Sequence, residues 1–503
     1  MDNLKCHIVA PVSLLLLGIV GIILLAVHTE DVKDAPQYMY GIVLDAGSSH
    51  TAMYIYKWPA DKENGTGIVS QHSECHVKGG GISSYADVHG GAGKSLEGCL
   101  QQAMTDIPKS KHSKTPIYLG ATAGMRLLNL SNTKASNEIL QDVSDKLKTK
   151  YPFIFLGAAI LSGADEGAYG WVTVNYLLEN FIKYDFAGQW ISPSKKTVGA
   201  LDFGGASTQI TFETADKVED EGNKKTLRLY GRDYTLYTQS FLCYGRDQVL
   251  RQILANLAKN QNYATSISHP CYPADYNVSM ELGKIFDSPC TQKKRPSPYD
   301  AKGLIQVQGT GNYQQCVGNV SAIFDLKKCS FSSCSFNDVF QPKVSGNFMA
   351  FSAFFYTYSF LQRSTGISVS SPELMEGAAQ AVCNMSFEEM EKKVPDQKTR
   401  LQDYCSVSVF IQILTLKGYR FDQDSFPRIS FQKKAGDTSI GWALGYMLSK
   451  SNLIPSESIP LRKALSSGAW TGLLFLFILI LAALPVYVIL RAHFKRKGGA
   501  PVV

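Results

Sequence analysis

Three patterns that would assign a function directly are missing from this chain of 503 residues. Residues 90–95 (Gly-Gly-Ala-Gly-Lys-Ser) are similar to a P-loop, but that motif needs a glycine six residues before the lysine, where this chain has Val88. The cysteines show no paired C-x-x-C spacing with histidine, so a zinc site is not predicted. The 50 basic and 43 acidic residues are spread without a basic arm, so no nucleic-acid partner is expected.

One local pattern occurs twice. Residues 40–51 contain an apolar strand that ends in Asp45 and a Gly-Ser-Ser turn, and residues 199–212 repeat it with Asp202 and a Gly-Gly-Ala-Ser-Thr turn. Small residues let backbone N–H groups approach an anion, and a terminal Asp can hold a hydrated cation that phosphates share. Two unrelated hairpins would also show Asp-Gly turns. Because the order recurs after an apolar run, we predict two similar lobes, each with one phosphate-facing loop.

Two apolar runs near the termini predict membrane spans. Residues 8–27 are uncharged and long enough to cross a bilayer, although a cleaved signal peptide is the alternative for this run. Residues 468–490 form the second run, and the basic segment 491–497 after it indicates a cytoplasmic end rather than a lipid-anchor signal. Lys5 before the first run and Glu30 and Asp31 after it indicate the same polarity. We therefore predict a multi-pass plasma-membrane protein with residues 28–467 outside the cell.

The cysteines and glycosylation motifs agree with an extracellular middle segment. Ten of the 11 cysteines fall in it, which predicts five disulfides in an oxidising compartment, although the sequence alone does not fix their pairing. Glycosylation motifs begin at Asn64, Asn129, Asn277, Asn319 and Asn384.

Two further strand-to-helix junctions carry polar groups. A strand over 115–121 leads to Thr122 and Arg126, which could face a phosphate, while Arg126 could equally pair with a carboxylate where a helix begins. A strand over 152–161 leads to Asp165 and Glu166. A carboxylate at a helix N-terminus is ordinarily a capping group, but a Glu among phosphate loops is also a candidate base for activating water. The residues alone leave both alternatives open.

The second half of the chain is rich in aromatic residues and holds eight of the ten outer cysteines. Residues 348–360 predict a core helix, one of whose rings could stack on a nucleobase with Arg400 on the opposite face. Arg246 and Asp247 follow a predicted strand end as an exposed charged pair, and residues 441–446 open a helix near the second span.

Five of these segments, in this order, resemble the motif blocks of the ectonucleoside triphosphate diphosphohydrolases, the membrane-anchored apyrases. The blocks are Asp-Ala-Gly-Ser-Ser-His at 45–50, Gly-Ala-Thr-Ala-Gly-Met-Arg at 120–126, Asp-Glu-Gly-Ala-Tyr-Gly-Trp at 165–171, Asp-Phe-Gly-Gly-Ala-Ser-Thr-Gln at 202–209 and Gly-Trp-Ala-Leu-Gly-Tyr at 441–446. The resemblance covers essentially the whole chain and is greatest to cell-surface members of the family. One departure is Ala164, where close relatives often carry Gln, which could alter the hydrogen bonding beside Glu166.

The resemblance implies an α/β fold of two actin-like (RNase-H-like) lobes with a nucleotide between them, and a role for each site residue. Glu166 would deprotonate water for in-line attack on the terminal phosphate, and Asp45 and Asp202 would hold hydrated Ca²⁺ or Mg²⁺. The implied phosphate site comprises Ser48, Ser49, His50, Thr122, Arg126, Gly204, Gly205, Ala206, Ser207 and Gln209, with Gln209 also placing the water. The implied nucleobase site comprises Tyr356, Arg400, Arg246 and Asp247, with Trp442 elsewhere in the cleft. The implied disulfides are Cys75–Cys99, Cys243–Cys290, Cys271–Cys316, Cys329–Cys334 and Cys383–Cys405.

We therefore predict an extracellular nucleotidase that removes the terminal phosphate of nucleoside triphosphates, ATP preferred, and of diphosphates more slowly, and so regulates extracellular nucleotide signalling. The alternatives are a non-enzymatic nucleotide-binding receptor and an actin-like ATP-driven motor or chaperone. The predicted segments are a cytoplasmic amino terminus (1–7), a transmembrane helix (8–27), lobe I (28–161), lobe II (162–432), a return to lobe I (433–467), a transmembrane helix (468–490) and a cytoplasmic tail (491–503). Subunits could associate through the spans, where Gly18 and Gly21 allow close approach.

Overall fold

The computed structural model of the chain describes residues 2–26, 32–33, 37–186, 189–436, 438–456, 461–462 and 467–497. It divides into a terminal part, residues 1–37 with 457–503, and a main part, residues 38–456. Glu30 and Asp31, which predicted the orientation of the first span, lie outside the described residues, as do residues 498–503 of the predicted tail.

The described residues of the terminal part form two helices and a short sheet. The helices are Asp2–Ala26 and Ser467–Lys497, and Val32–Lys33 pairs antiparallel with Leu461–Arg462. A Cβ added at Gly18 would lie 2.8 Å from the Leu481 side chain, and one added at Gly21 would lie 2.5 Å from the Phe477 ring. The glycine face that the sequence offered for association between subunits therefore packs against the second helix of the same chain.

One helix among the described residues is long and apolar enough to cross a membrane. It is residues 468–494, which include the predicted second span. The apolar part of the first helix, residues 11–26, is shorter than a typical span. The structure thus supports one of the two predicted spans.

The first half of the main part is a five-stranded sheet with helices against it. In order across the sheet, the strands are Ser70–His76, Thr51–Pro59, Tyr38–Ala46, Pro116–Ala121 and Ile154–Ile160. The helices are Gly91–Ser95, Glu97–Asp106, Ala123–Ser131 and Thr133–Lys150. Residues of the central strand belong to two hydrophobic clusters, one on each face of the sheet. Ile42 and Leu44 pack toward these helices, and Met39 and Val43 pack on the opposite face.

A six-stranded sheet forms the second half. In order, its strands are Lys224–Leu229, Arg232–Leu242, Ser207–Glu213, Gly199–Phe203, Phe348–Ser352 and Ile429–Phe431. The prediction of one helix over 348–360 is wrong for its first five residues. They form a strand parallel to Gly199–Phe203 that is buried on both faces, as an uninterrupted apolar run allows, and the helix begins at Ala353.

The remainder of the second half surrounds this sheet. A three-stranded sheet has the order Ser266–His269, Leu304–Gly309 and Asn277–Glu281. The helices are Arg246–Asn260, Leu282–Phe286, Tyr313–Ser321, Ala353–Thr365, Pro372–Cys383, Phe387–Lys393 and Tyr404–Ile413. Two short hairpins pair Lys183–Tyr184 with Trp190–Ile191 and Lys434–Ala435 with Thr438–Ser439.

Two helices lie between the large sheets. They are the helices Gly163–Leu177 and Trp442–Ser451, and their backbones approach closely. A Cβ added at Gly445 of the second helix would lie only 2.0 Å from the Tyr169 carbonyl oxygen of the first. Their apolar side chains share one cluster with Val43 of the first sheet and Met349 of the second. The stretch with Trp442 thus contacts the first sheet, while the predicted segment boundaries stay predictions.

Candidate functional site

The two polar turns occupy equivalent places in the two large sheets. Asp45 is the penultimate residue of a strand whose antiparallel neighbour begins at Thr51, and Asp202 precedes the last residue of a strand whose antiparallel neighbour begins at Ser207. A Cβ added at Gly205 of the second turn would lie 2.6 Å from Ser48 Oγ of the first. The turns therefore meet, and the candidate site lies between the sheets.

Glycines make room for the first turn. A Cβ added at Gly81 would lie 2.4 Å from the Ser48 carbonyl oxygen, and one added at Gly124 would lie 2.8 Å from Ser48 Cα. The backbone of the turn is therefore held against two neighbouring segments that carry no side chain there.

The carboxyls of Asp45 and Asp202 share a buried environment. Burial raises the pKa of Asp45 to about 7; the Trp442 indole opposes this shift, and the charge of Asp202 adds to it. Burial likewise raises the pKa of Asp202 to about 6, while Ser352 and the Phe203 backbone oppose the shift. Asp202 Oδ1 is buried and has no hydrogen-bond partner among the described residues. Two carboxylates that repel each other, one with an unpartnered buried oxygen, form a donor set that fits a divalent cation.

Glu166 lies in the first turn of the helix Gly163–Leu177, which Ser162 caps by accepting a hydrogen bond from Asp165 N at 3.0 Å. The Arg126 guanidinium contacts Glu166 Oε2 directly, and Gln209 Nε2 donates to the same oxygen at 3.2 Å. The capping group is therefore Ser162, and Glu166 points into the site.

Burial raises the pKa of Glu166 above its usual range. The positive charge of Arg126 opposes this shift, whereas the negative charges of Asp202 and Asp45 add to it. The Glu166 carboxyl therefore lies close enough to the two Asp carboxyls for their negative charges to raise its pKa.

Ser207 and Ser240 complete the polar network around Glu166. Gln209 Nε2 donates to Ser207 Oγ at 2.7 Å and to Ser240 Oγ at 2.9 Å, and Arg126 donates to the same oxygens at 3.3 and 3.2 Å. Ser240 is absent from the sequence predictions. It lies on a strand with no motif of its own, and only the pairing of this strand with Gln209 brings it to the site.

The remaining predicted phosphate residues lie around the same turns. Thr122 is buried and its N–H donates to the Ala46 carbonyl at 3.1 Å. Within the second turn, Gly204 N donates to Ser207 O at 3.0 Å, and Ala206 is buried. Ser49 Oγ lies 3.1 Å from His50 Nδ1. Burial, His76 and Arg400 lower the pKa of His50.

Among the predicted nucleobase residues, Arg246 and Asp247 form an ion pair, and Arg400, like Arg246, opposes the effect of burial on the pKa of Asp403. Tyr356 is 46% exposed and has the Lys433 ammonium 5.5 Å from its ring centre, whereas Arg400 is exposed in the 3₁₀-helix Pro395–Asp403. Arg246 forms ion pairs with Asp247 at 2.8 Å and with Asp403 at 2.6 Å.

The prediction that Arg246 and Asp247 are an exposed pair is wrong for Arg246, whereas 44% of the Asp247 side chain is exposed. Only 19% of the Arg246 side chain is exposed, because Asp403 holds it from a distant part of the chain. Asp247 lies beside the second turn, since its N–H donates to the Gly205 carbonyl at 2.8 Å and its Oδ2 would lie 2.9 Å from a Cβ at Gly205.

The five disulfides pair the ten outer cysteines as the family resemblance implies. The pairs are Cys75–Cys99, Cys243–Cys290, Cys271–Cys316, Cys329–Cys334 and Cys383–Cys405. Of the five glycosylation motifs, Asn64, Asn277 and Asn384 are exposed, and Asn129 and Asn319 are half-buried.

Comparison with known proteins gives relatives along nearly the whole chain. The profile of the GDA1/CD39 (nucleoside phosphatase) family matches residues 32–466. The mouse protein ectonucleoside triphosphate diphosphohydrolase 2 is 53% identical over 98% of this chain and 98% of its own length. Its human counterpart is 52% identical over 96% of both chains. Among solved structures, a nucleoside triphosphate hydrolase from Neospora caninum aligns with 83% of this chain and 93% of its own, with a TM-score of 0.59 at 15% identity, which is a likeness of fold.

Proposed function

The chain belongs to the GDA1/CD39 family of nucleoside phosphatases, and we propose that the site between its two large sheets carries out the chemistry of this family. The predicted family and the predicted hydrolase are thereby confirmed, and the chain is an enzyme that hydrolyses nucleotides. The receptor and motor alternatives do not agree with membership in a phosphatase family. The actin-like fold agrees with the structural likeness.

We assign the role of general base to Glu166. The observation that carries this assignment is its position, buried in contact with Arg126 and Gln209 and facing the charges of both Asp45 and Asp202. A carboxyl whose pKa lies above its usual range can accept a proton from water more readily at neutral pH. Gln209 Nε2, already on Glu166 Oε2, would orient that water toward the terminal phosphate.

The phosphates would lie between the two turns. The Ser48 and Ser207 hydroxyls and the backbone N–H groups of Gly205 and Ala206 would be donors on the two sides of the site, and the Arg126 guanidinium adds a positive charge. Such donors stabilise the negative charge on a transferred phosphoryl group without reorganising during the reaction. Ser49, His50 and Thr122 would extend the phosphate site around the first turn.

Enzymes of this family use a divalent cation. Asp45 and Asp202 would hold it, and the unpartnered buried Asp202 Oδ1 supports that role. When bound, the cation supplies charge neutralisation for the phosphate oxygens. Hard oxygen ligands suit both Ca²⁺ and Mg²⁺, and we propose that either supports turnover.

The nucleobase would lie at the exposed ring of Tyr356, with Arg400 on its other face. The Lys433 ammonium lies over that ring, so a base that stacks there must share the ring with this side chain or displace it. Arg246, fixed by Asp403, and Asp247, beside Gly205, would border the base site from the phosphate side.

We further propose that two spans anchor the enzyme, with the catalytic part outside the cell. The disulfides and the helix over residues 468–494 support this arrangement. Close similarity to the type 2 ectonucleoside triphosphate diphosphohydrolases supports ATP as the preferred substrate, with slower removal of phosphate from ADP.

The test is phosphate release from intact cells that express the chain, supplied externally with ATP or ADP and with Ca²⁺ or Mg²⁺. We expect rapid release from ATP, slower release from ADP, and loss of both on adding EDTA. Equal rates on ATP and ADP would retain the family but contradict the substrate preference. Release only after the cells are permeabilised would contradict the extracellular placement.

A further inference from the structure

Ser240 binds the same two side chains as Ser207. Its Oγ accepts hydrogen bonds from Arg126 Nη1 at 3.2 Å and from Gln209 Nε2 at 2.9 Å. Both side chains also contact the Glu166 carboxylate, Arg126 through Nη2 and Gln209 through Nε2. A single hydroxyl on the strand Arg232–Leu242 is therefore linked to the two groups that hold Glu166.

Ser240 accepts the hydrogen bond from Nη1, one of the three nitrogens of the Arg126 guanidinium. Arg126 Nε is buried and has no partner among the described residues. Nη2 has two partners, Glu166 and Ser207, whereas the partner of Nη1 in the described part of the chain is Ser240. Because a planar guanidinium is oriented by bonds at separate corners, loss of Ser240 would leave the group free to turn about its Nη2 contacts.

Gln209 depends on Ser240 in a similar way. Its Oε1 is buried without a partner among the described residues, so the amide is oriented through Nε2 alone. That nitrogen carries two hydrogens, and three acceptors share them: Ser207, Ser240 and Glu166. Without Ser240, fewer contacts hold the amide in the direction that leads to Glu166.

The neighbouring backbone has space for this contact. Residue 163 is glycine, and a Cβ there would lie 2.3 Å from Ser240 Cβ and 2.5 Å from Arg126 Nη1. The strand register places Ser240 directly opposite Gln209. The absence of a side chain at Gly163 and the register of the strand pair together allow Ser240 to contact both Arg126 and Gln209.

We propose that Ser240 is a positioning residue of the hydrolysis reaction, which fixes Arg126 and Gln209 and through them the direction of the Glu166 carboxylate. This inference rests on the proposed role of Glu166 as the base. Ser240 would act on the chemical step, because the groups that it orients contact Glu166, the proposed base. Small misplacements of groups that orient a reaction cost rate more than substrate affinity.

The test compares Ser240→Ala with a matched control, Ser364→Ala, in the full-length chain at the surface of intact cells. Ser364 is a buried serine whose hydroxyl donates to the Phe360 carbonyl of its own helix, whereas Ser240 is half-buried. We expect Ser240→Ala to lower kcat for ATP by about tenfold with KM within about twofold of the original, since one charge-assisted contact is lost. Ser364→Ala should leave both constants unchanged, and the two variants should have similar thermal midpoints.

Two further variants separate positioning from folding. Ser240→Thr keeps the hydroxyl and should restore most of kcat. In a double-mutant cycle, Ser240→Ala should cost less in a Gln209→Ala background than alone, because part of its effect passes through Gln209. Multiplicative effects in the cycle, or an unchanged kcat in Ser240→Ala, would overturn the inference. Glu166→Gln, measured alongside, tests the base separately, so failure of either assignment can be recognised.

Discussion

The Arg126 guanidinium contacts the Glu166 carboxylate directly, and this pair joins the helix after the fourth strand of the first sheet to the helix between the sheets. Side-chain exposure is 15% for Arg126 and 10% for Glu166, so water screens the pair little. The proposed base, Glu166, is thus paired with the positively charged Arg126 side chain, which a bound phosphate would also attract.

Replacing Arg126 changes the pH at which Glu166 can act. The charge of Arg126 lowers the pKa of Glu166 against the effect of burial, so in Arg126→Met this pKa rises further. Because the deprotonated carboxyl is the active form, the acid limb of the kcat/KM profile should move to higher pH by about one unit. Arg126→Lys keeps the charge and should show a smaller shift. A shift of the limb to lower pH in Arg126→Met would contradict the pairing.

Adding one methyl group at Gly205 should separate the two turns. Its backbone is not in the left-handed region, so Gly205→Ala adopts the same conformation, but the new Cβ would lie 2.6 Å from Ser48 Oγ. We expect ATP hydrolysis to fall by at least about tenfold, because the phosphate donors of the two turns lose their spacing. Gly98→Ala, with nothing within 4 Å of the added Cβ, is the control and should retain activity. Normal turnover in Gly205→Ala would show that the turns do not act together.

Cation binding should stabilise the fold through Asp45 and Asp202. For the purified full-length chain in detergent, a hundredfold excess of Ca²⁺ over its Kd corresponds to about 2.7 kcal/mol of added stability, seen as a higher thermal midpoint. Asp202→Asn should remove most of this shift, whereas Asp216→Asn, at an exposed carboxyl, should keep it. An undiminished Ca²⁺ shift in Asp202→Asn would place the cation elsewhere.

His269 should make the fold sensitive to acid. It is fully buried against Tyr272, with ring centres 3.9 Å apart, and burial lowers its pKa to about 3. Its ordinary pKa in the unfolded chain is about 6.5, so below that pH the unfolded state binds a proton that the folded state does not. The stability from neutral His269 is complete above about pH 6.5 and falls by about 2 kcal/mol between pH 6.5 and 5.

Thermal unfolding at pH 7.5, 6 and 5 measures this loss. His269→Gln should flatten the decline in the thermal midpoint, and His89→Gln, at an exposed histidine, should leave it unchanged. An equally steep decline in all three chains would show that other groups govern the acid sensitivity.

Local chemistry made part of the structure predictable. The two Asp-containing turns follow from apolar runs that end in small polar residues, and both are hairpins in the structure. The even number of outer cysteines predicted five disulfides from the residues alone, but the pairing required the family resemblance, because connectivity depends on the whole fold.

Long-range contacts account for what the sequence did not predict. Ser240 reaches the site only through the strand pairing that places it opposite Gln209. Arg246 is held inward by Asp403, which no local pattern links to it. The aromatic run at 348–360 changes from strand to helix at Ser352, whose φ of 58° is uncommon for a residue with a side chain. Hydrophobic periodicity alone does not distinguish a buried strand from a buried helix.

The role of Glu166 as the base is tested most directly against the carboxyl beside it in the chain. Asp165 lies on the same helical turn but forms an ion pair with Lys225 at 2.5 Å instead of facing Arg126. Steady-state phosphate release from ATP should be compared for Glu166→Gln and Asp165→Asn at equal surface expression. We predict that Glu166→Gln lowers kcat by at least about a hundredfold and that Asp165→Asn stays within about threefold of the original chain. Near-normal turnover in Glu166→Gln would contradict the account.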